Sequence, residues 1–192
     1  MVHATKKHYD VLKEVIAKRC GLEDSMEIKY VQNYGKEITL SGKDIKTIIM
    51  TDLFRDMMYE VAAERGRQIF TEGMITALQE IKKRGYSLAI ASGIRKDIIT
   101  GLLAITKCPV TFDYIQGQDP VLSRDDNEKL DAELMKQGKI SFVIGDKADD
   151  LEPAKKFGAK AIFLRGGHAR GGEEKIADYS ISHPKELLNI IT

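Results

Sequence analysis

The sequence predicts an α/β protein: a Rossmann-like parallel sheet with flanking helices, preceded by a small helical cap region. Three observations carry this reading. Short apolar runs at 86–92, 111–117, 140–146 and 159–164 alternate with stretches of helical spacing. Two of these runs close on a polar residue, Ser92 and Asp146, and a helical pattern follows each. The first third differs, because its apolar residues recur mostly at steps of three and four.

The elements follow in order. Val11, Leu12, Val15 and Ile16 put a helix over 5–20, and Gly21 ends it. Residues 24–40 are ambiguous, with Gly35 marking a turn. S-G-K-D at 41–44 reads as a helix start. Ile45, Ile48, Ile49, Leu53, Met57 and Val61 then predict a long amphipathic helix over roughly 43–66. Helix 74–84 stops at Gly85, and YSLAIAS is the first strand of the sheet. Helix 94–103, strand 111–117, helix 126–137, strand 140–146, helix 148–158 and strand 159–164 complete the alternation. Pro153 fits only the first turn of its helix. A glycine-rich loop and a last helix at 184–191 close the chain. The texture changes near Gly73, so the division is a helical cap-like region over 1–70 and an α/β core over 71–192.

Composition bounds the function. The 192 residues fit one compact domain or a core with a small lobe, and 43% hydrophobic with 31% charged residues is ordinary for a soluble globular chain. A net charge of +1 gives no field directed at nucleic acid or an acidic membrane. No apolar run approaches the ~20 residues of a membrane span. MVHATKKHYD lacks the apolar centre of a signal peptide, and Cys20 and Cys108 have no metal spacing. A cytoplasmic monomer or homodimer acting on a small molecule is expected.

In parallel α/β folds ligands sit at the carboxyl ends of the strands. FVIGDKADDLEPAKKFG delivers Asp146 at such an end, and Asp150 sits four residues later at a helix start. Two carboxylates placed so can hold a hard cation through oxygen ligands and waters, which suits Mg²⁺. The plain alternative is a helix-capping carboxylate and a strand end. In LAIASGIRKD, the Ser92 hydroxyl, the backbone at Gly93 and the free N–H groups of the next helix could cradle a phosphate, or Ser92 could simply cap that helix. Arg124 and Lys129, in SRDDNEKLDAELMK, are candidate cations to balance the charge, or else surface residues. The four histidines have no ligand spacing, and His168 and Arg170 lie in a glycine-rich linker.

These pieces, in this order, resemble motifs II, III and IV of the haloacid dehalogenase-like superfamily. GDKADD is similar to its G-D-x-x-x-D motif, LAIASG to its second motif, and TEGMITALQEIKKRGYSLAIASG to the entry of phosphoglycolate-phosphatase-like members. FDYIQGQD resembles the strand before the third motif, and ADYSISHPKELLNII the usual ending. The resemblance covers roughly 70–192. It implies a Mg²⁺-dependent phosphatase for a small phosphorylated metabolite, with metal at Asp146 and Asp150 and phosphate at Ser92 and Gly93.

Two departures stand out. The third motif is normally lysine then proline; spacing aligns Arg124 with that lysine, followed by Asp125, and Lys129 needs a register change. The first motif, D-x-D on the first strand, occurs nowhere. Its first aspartate attacks phosphorus and its second protonates the leaving group. In TIIMTDLF, Asp52 could be the nucleophile, but Phe54 cannot transfer a proton, and the periodicity favours a helix there. Residues 4–23 resemble instead the first cap helix that follows that motif, and 43–70 the later cap helices. On that registration the chain begins just after the first motif, or the motif has been lost. The two functional expectations are a phosphatase and a non-catalytic protein that keeps a phosphate and metal pocket.

Overall fold

The computed structural model describes residues 18, 21, 23–31, 37–117, 136, 138–166 and 171–192. Nearly all of the helices expected at 5–20 and 126–137, together with Arg124, Lys129, His168 and Arg170, lie outside the described residues.

Strands β1 (Glu27–Val31) and β2 (Glu37–Ser41) pair antiparallel, from Glu27 opposite Ser41 to Val31 opposite Glu37. The region up to residue 70, expected to be helical, therefore contains a hairpin. EIKYV and EITLS alternate polar and apolar residues and are rich in β-branched and aromatic side chains, which suits a pleated ribbon. Helix α1 (Gly42–Arg65) follows at once. Its start is the capping box expected from S-G-K-D: Ser41 Oγ accepts the Asp44 N–H at 3.2 Å and the Asp44 carboxylate accepts the Ser41 N–H at 2.9 Å. The Ser41 hydroxyl, which donates to the Asp44 carboxylate at 2.7 Å, and then the Ser41 N–H hold that carboxyl below the usual range. The apolar stripe is only partly seated. Met50 and Ala62 are buried, whereas Leu53 is 44% exposed. A single 3₁₀ turn, Gly66–Ile69, leads out of the helix.

The remaining chain alternates as expected: α2 (Met74–Lys83), β3 (Ala89–Ser92), α3 (Lys96–Ile105), β4 (Tyr114–Gly117), β5 (Phe142–Gly145), α4 (Ala148–Leu151), α5 (Pro153–Phe157) and β6 (Lys160–Leu164). The single helix expected at 148–158 is broken at Glu152, because Pro153 starts a new first turn. A short strand, β7 (Tyr179–Ile181), was not foreseen; three residues leave almost no periodicity to read. Helix α6 (Leu187–Ile190) ends the fold. His183 caps the 3₁₀ turn before it, accepting the Lys185 N–H at 3.1 Å, so its role is structural.

All sheet pairings after the hairpin are parallel. Strand β3 pairs with β4, and β5 with β6 and then β7. Alternation sorts the side chains of the three-stranded sheet to two faces. Ile162, Ile181, Phe142 and Ile144 pack with Ala77 and Ile81 of α2 and Leu187 of α6. Ala161, Phe163 and Val143 pack on the opposite face with Leu151 and Ala154 of α4 and α5. The first of these clusters also takes in Tyr86 and Leu88, which lead into β3. Tyr86 meets Phe142 edge to face, with ring centroids 6.2 Å apart. The two sheets thus lie under a shared helical layer, yet among the described residues β3 and β5 are not hydrogen-bonded to each other.

Candidate active site

The ends of the parallel strands locate the candidate site. Strand β3 runs parallel to β4, and β5 to β6 and then β7. In parallel α/β folds ligands gather at the carboxyl ends of the strands. Ser92 closes β3, and Asp146 follows directly on β5.

Asp146 and Asp150 are brought together. The loop after β5 turns at once into the short α4, and the Asp150 N–H donates to the Lys147 carbonyl at 3.2 Å. Asp146 is half-buried and Asp150 exposed. The Asp150 carboxyl is held above the usual carboxylate range, first by partial withdrawal from water and then by the charge of Asp146 beside it. Crowding two carboxylates disfavours their joint ionisation, and a hard cation between them reverses that penalty. The donor set therefore fits Mg²⁺ with part of its water shell retained. Among the described residues no third His, Cys, Asp or Glu joins them. Gly145 permits the arrangement, since a Cβ there would lie 2.4 Å from the Asp150 Cβ.

The Ser92 arm sits on the other sheet. Ser92 Oγ accepts the Ile94 N–H at 3.2 Å, closing a tight turn at Gly93 and Ile94. Because the oxygen is used as an acceptor, the hydroxyl hydrogen is left to donate outward. The turn is backed by Gly117 at the end of β4. A Cβ there would stand 2.2 Å from the Lys96 nitrogen and 2.4 Å from the Ile94 oxygen. Backbone approaches backbone at that point, which only glycine permits. A glycine closing a strand is the signal that could have marked both Gly117 and Gly145.

Asp52 does not stand at a strand end. It lies in the middle of α1, where its Oδ1 accepts from Arg55 Nη1 at 3.1 Å and from Arg95 Nη1 at 3.0 Å. The structure therefore bears out the helical periodicity around TIIMTDLF and removes the strand placement on which a nucleophilic role was considered.

Residues 2–164 match the haloacid dehalogenase-like hydrolase family. The phosphoglycolate phosphatase of Aquifex aeolicus (strain VF5) is 23% identical, over 93% of this chain and 86% of that protein. A candidate phosphatase from Clostridium difficile shares the fold with a TM-score of 0.58 at 19% identity, covering 78% of this chain and 72% of the other. A haloacid dehalogenase-like family hydrolase from Streptococcus pneumoniae gives 0.51 at 20% identity, covering 62% and 58%. With a family match over residues 2–164 of its 192, the chain belongs to the haloacid dehalogenase-like hydrolases.

Proposed function

We propose that this protein is a Mg²⁺-dependent phosphatase for a small phosphate monoester, with phosphate held by Ser92 and the turn at Gly93 and metal held by Asp146 and Asp150. The observation that carries the reading is a hydroxyl turn at the end of β3 and a carboxylate pair after β5, both at the carboxyl ends of parallel strands. The Aquifex aeolicus relative, a phosphoglycolate phosphatase, makes a small phosphorylated acid a reasonable substrate class.

Each residue has a chemical task. The Ser92 hydroxyl donates to a phosphoryl oxygen while its own oxygen stays fixed by the Ile94 N–H. Asp146 and Asp150 would hold Mg²⁺, which when bound screens the charge of the phosphoryl group. The 1–70 region serves as the cap over this site. Arg124 or Lys129 supplies the balancing cation.

The attacking carboxylate is the open question that shapes the test. Asp52 is held by two guanidinium groups, which lowers its nucleophilicity. The sequence has no D-x-D. That observation favours a second reading, a non-catalytic protein that binds phosphate and Mg²⁺ without turnover.

The deciding experiment is hydrolysis of p-nitrophenyl phosphate with and without Mg²⁺, beside Asp146→Asn and Asp52→Asn. Mg²⁺-dependent turnover lost in Asp146→Asn and kept in Asp52→Asn supports the enzyme with Asp52 as a structural residue. Loss in both returns Asp52 to the nucleophile's role. A folded chain that binds phosphate and Mg²⁺ but turns nothing over supports the binding protein.

A further inference from the structure

Helix α1 grips the Ser92 turn through one residue. Arg95 lies three positions after Ser92, just before α3. Its Nε donates to Asp97 Oδ1 at 3.0 Å and its Nη2 to Asp97 Oδ2 at 2.6 Å, a two-point fork that fixes the guanidinium plane. Its Nη1 then reaches across to Asp52 Oδ1 on α1 at 3.0 Å. Two turns further along α1, the Tyr59 hydroxyl donates to the Asp97 carbonyl at 3.0 Å and lies over Gly101, where a Cβ would come within 2.0 Å of it. Asp52, Arg55 and Tyr59 thus form one stripe of α1 docked on the start of α3. From the other side, Gly117 packs against the backbone of Ile94 and Lys96. The turn that carries Ser92 is held between β4 and α1, and Arg95 is its link to α1.

We propose that Arg95 is a positioning residue for the phosphate site, transmitting the seating of helix α1 to the Ser92–Ile94 turn through its pairs with Asp52 and Asp97. This rests on the reading of Ser92 as a phosphate ligand. The side chain is only 23% exposed, so the pair is better shielded than an ordinary surface bridge. Asp97 and then Asp52 hold the guanidinium above the usual arginine range. A lysine would keep the charge and lose the fork.

The test is titration of the full ¹⁵N-labelled chain with inorganic phosphate, followed at the Gly93 and Ile94 amides, with thermal unfolding in parallel. Asp52→Asn and Arg95→Lys are expected to shift the Ile94 amide without ligand and to weaken phosphate binding by roughly 5-fold or more. Asp56→Asn, which removes a carboxylate paired with Arg55 alone, is expected to leave both unchanged. The proposal is overturned if Asp52→Asn and Arg95→Lys change only the melting temperature. It is also overturned if Asp52→Asn tightens phosphate, since a carboxylate facing the anion repels it and its removal has the opposite sign. If the native chain binds no phosphate, or Ser92→Ala binds it equally well, the phosphate site itself falls, a result separable from failure at Arg95 alone.

Discussion

Replacing Asp150 by asparagine should make the protein more stable without metal and blind to Mg²⁺. The Asp150 carboxyl is held above its usual range by partial desolvation and by Asp146. A carboxyl with a raised folded pKa favours folding in its neutral form. Its stabilising contribution is complete below the unfolded value of 3.8 and is lost as pH rises through the folded value. At pH 7 the native protein therefore carries the full penalty, and the variant does not. Two like charges ~4 Å apart repel by about 1 kcal/mol in water-like surroundings and about 4 kcal/mol at an effective dielectric of 20. Asp150 is exposed, so screening puts the pair near the lower figure. About 1 kcal/mol corresponds to a rise of about 2–4 °C in Tm for a chain of this length. Mg²⁺ at ten times its Kd stabilises the native protein by about 1.4 kcal/mol and the variant by nothing. Thermal unfolding at pH 7 in EDTA and in MgCl₂ should show the two proteins converging as metal is added. The advantage of the variant should shrink as pH falls. A variant that is less stable in EDTA, or that gains as much as the native protein from Mg²⁺, would refute the assignment of the pair as a metal site.

Two glycine substitutions should divide the site. Gly117→Ala must displace the Ile94–Lys96 backbone and should weaken phosphate binding by roughly 10- to 100-fold, read by the same amide titration, while leaving Mg²⁺ binding intact. Gly145→Ala should do the reverse, displacing Asp150 and removing the Mg²⁺ dependence of Tm while metal-free phosphate binding persists. Ser41→Ala should cost about 1 kcal/mol by removing the capping box of α1, seen as a lower midpoint in urea at an unchanged slope.

The parallel core was legible because its signals are local. FVIG and KAIFL are apolar runs of strand length, Gly85 and Pro153 mark turns, and S-G-K-D fixes a cap by chemistry that needs no tertiary context. Ser92 and Asp146 could be singled out because strand ends in such folds have a defined use. The hairpin at 27–41 was hidden because two five-residue strands between helical patterns carry few periods to count. Arg95 was invisible for a different reason: its role depends on Asp52, 43 residues away, and such a pairing leaves no pattern in the sequence. Gly117 carried only the weak mark of a glycine that closes a strand.

The split in the sheet explains how the two arms of the site are kept in register. Hydrogen bonds fix β3 to β4 and β5 to β6, but among the described residues none fixes β3 to β5. What lies across the division is side-chain packing: Tyr86 on Phe142, and Leu88 in one cluster with Ile144, Ala77, Ile81 and Leu187. Among the described residues, this apolar packing is what spans the two strand sets. Packing of this kind tolerates small adjustments that a hydrogen-bonded ladder would not. On the proposed function, the phosphate turn after β3 and the carboxylate pair after β5 rest on separate strand sets spanned by this packing, so a substitution at Leu88 or Ile144 would move one relative to the other.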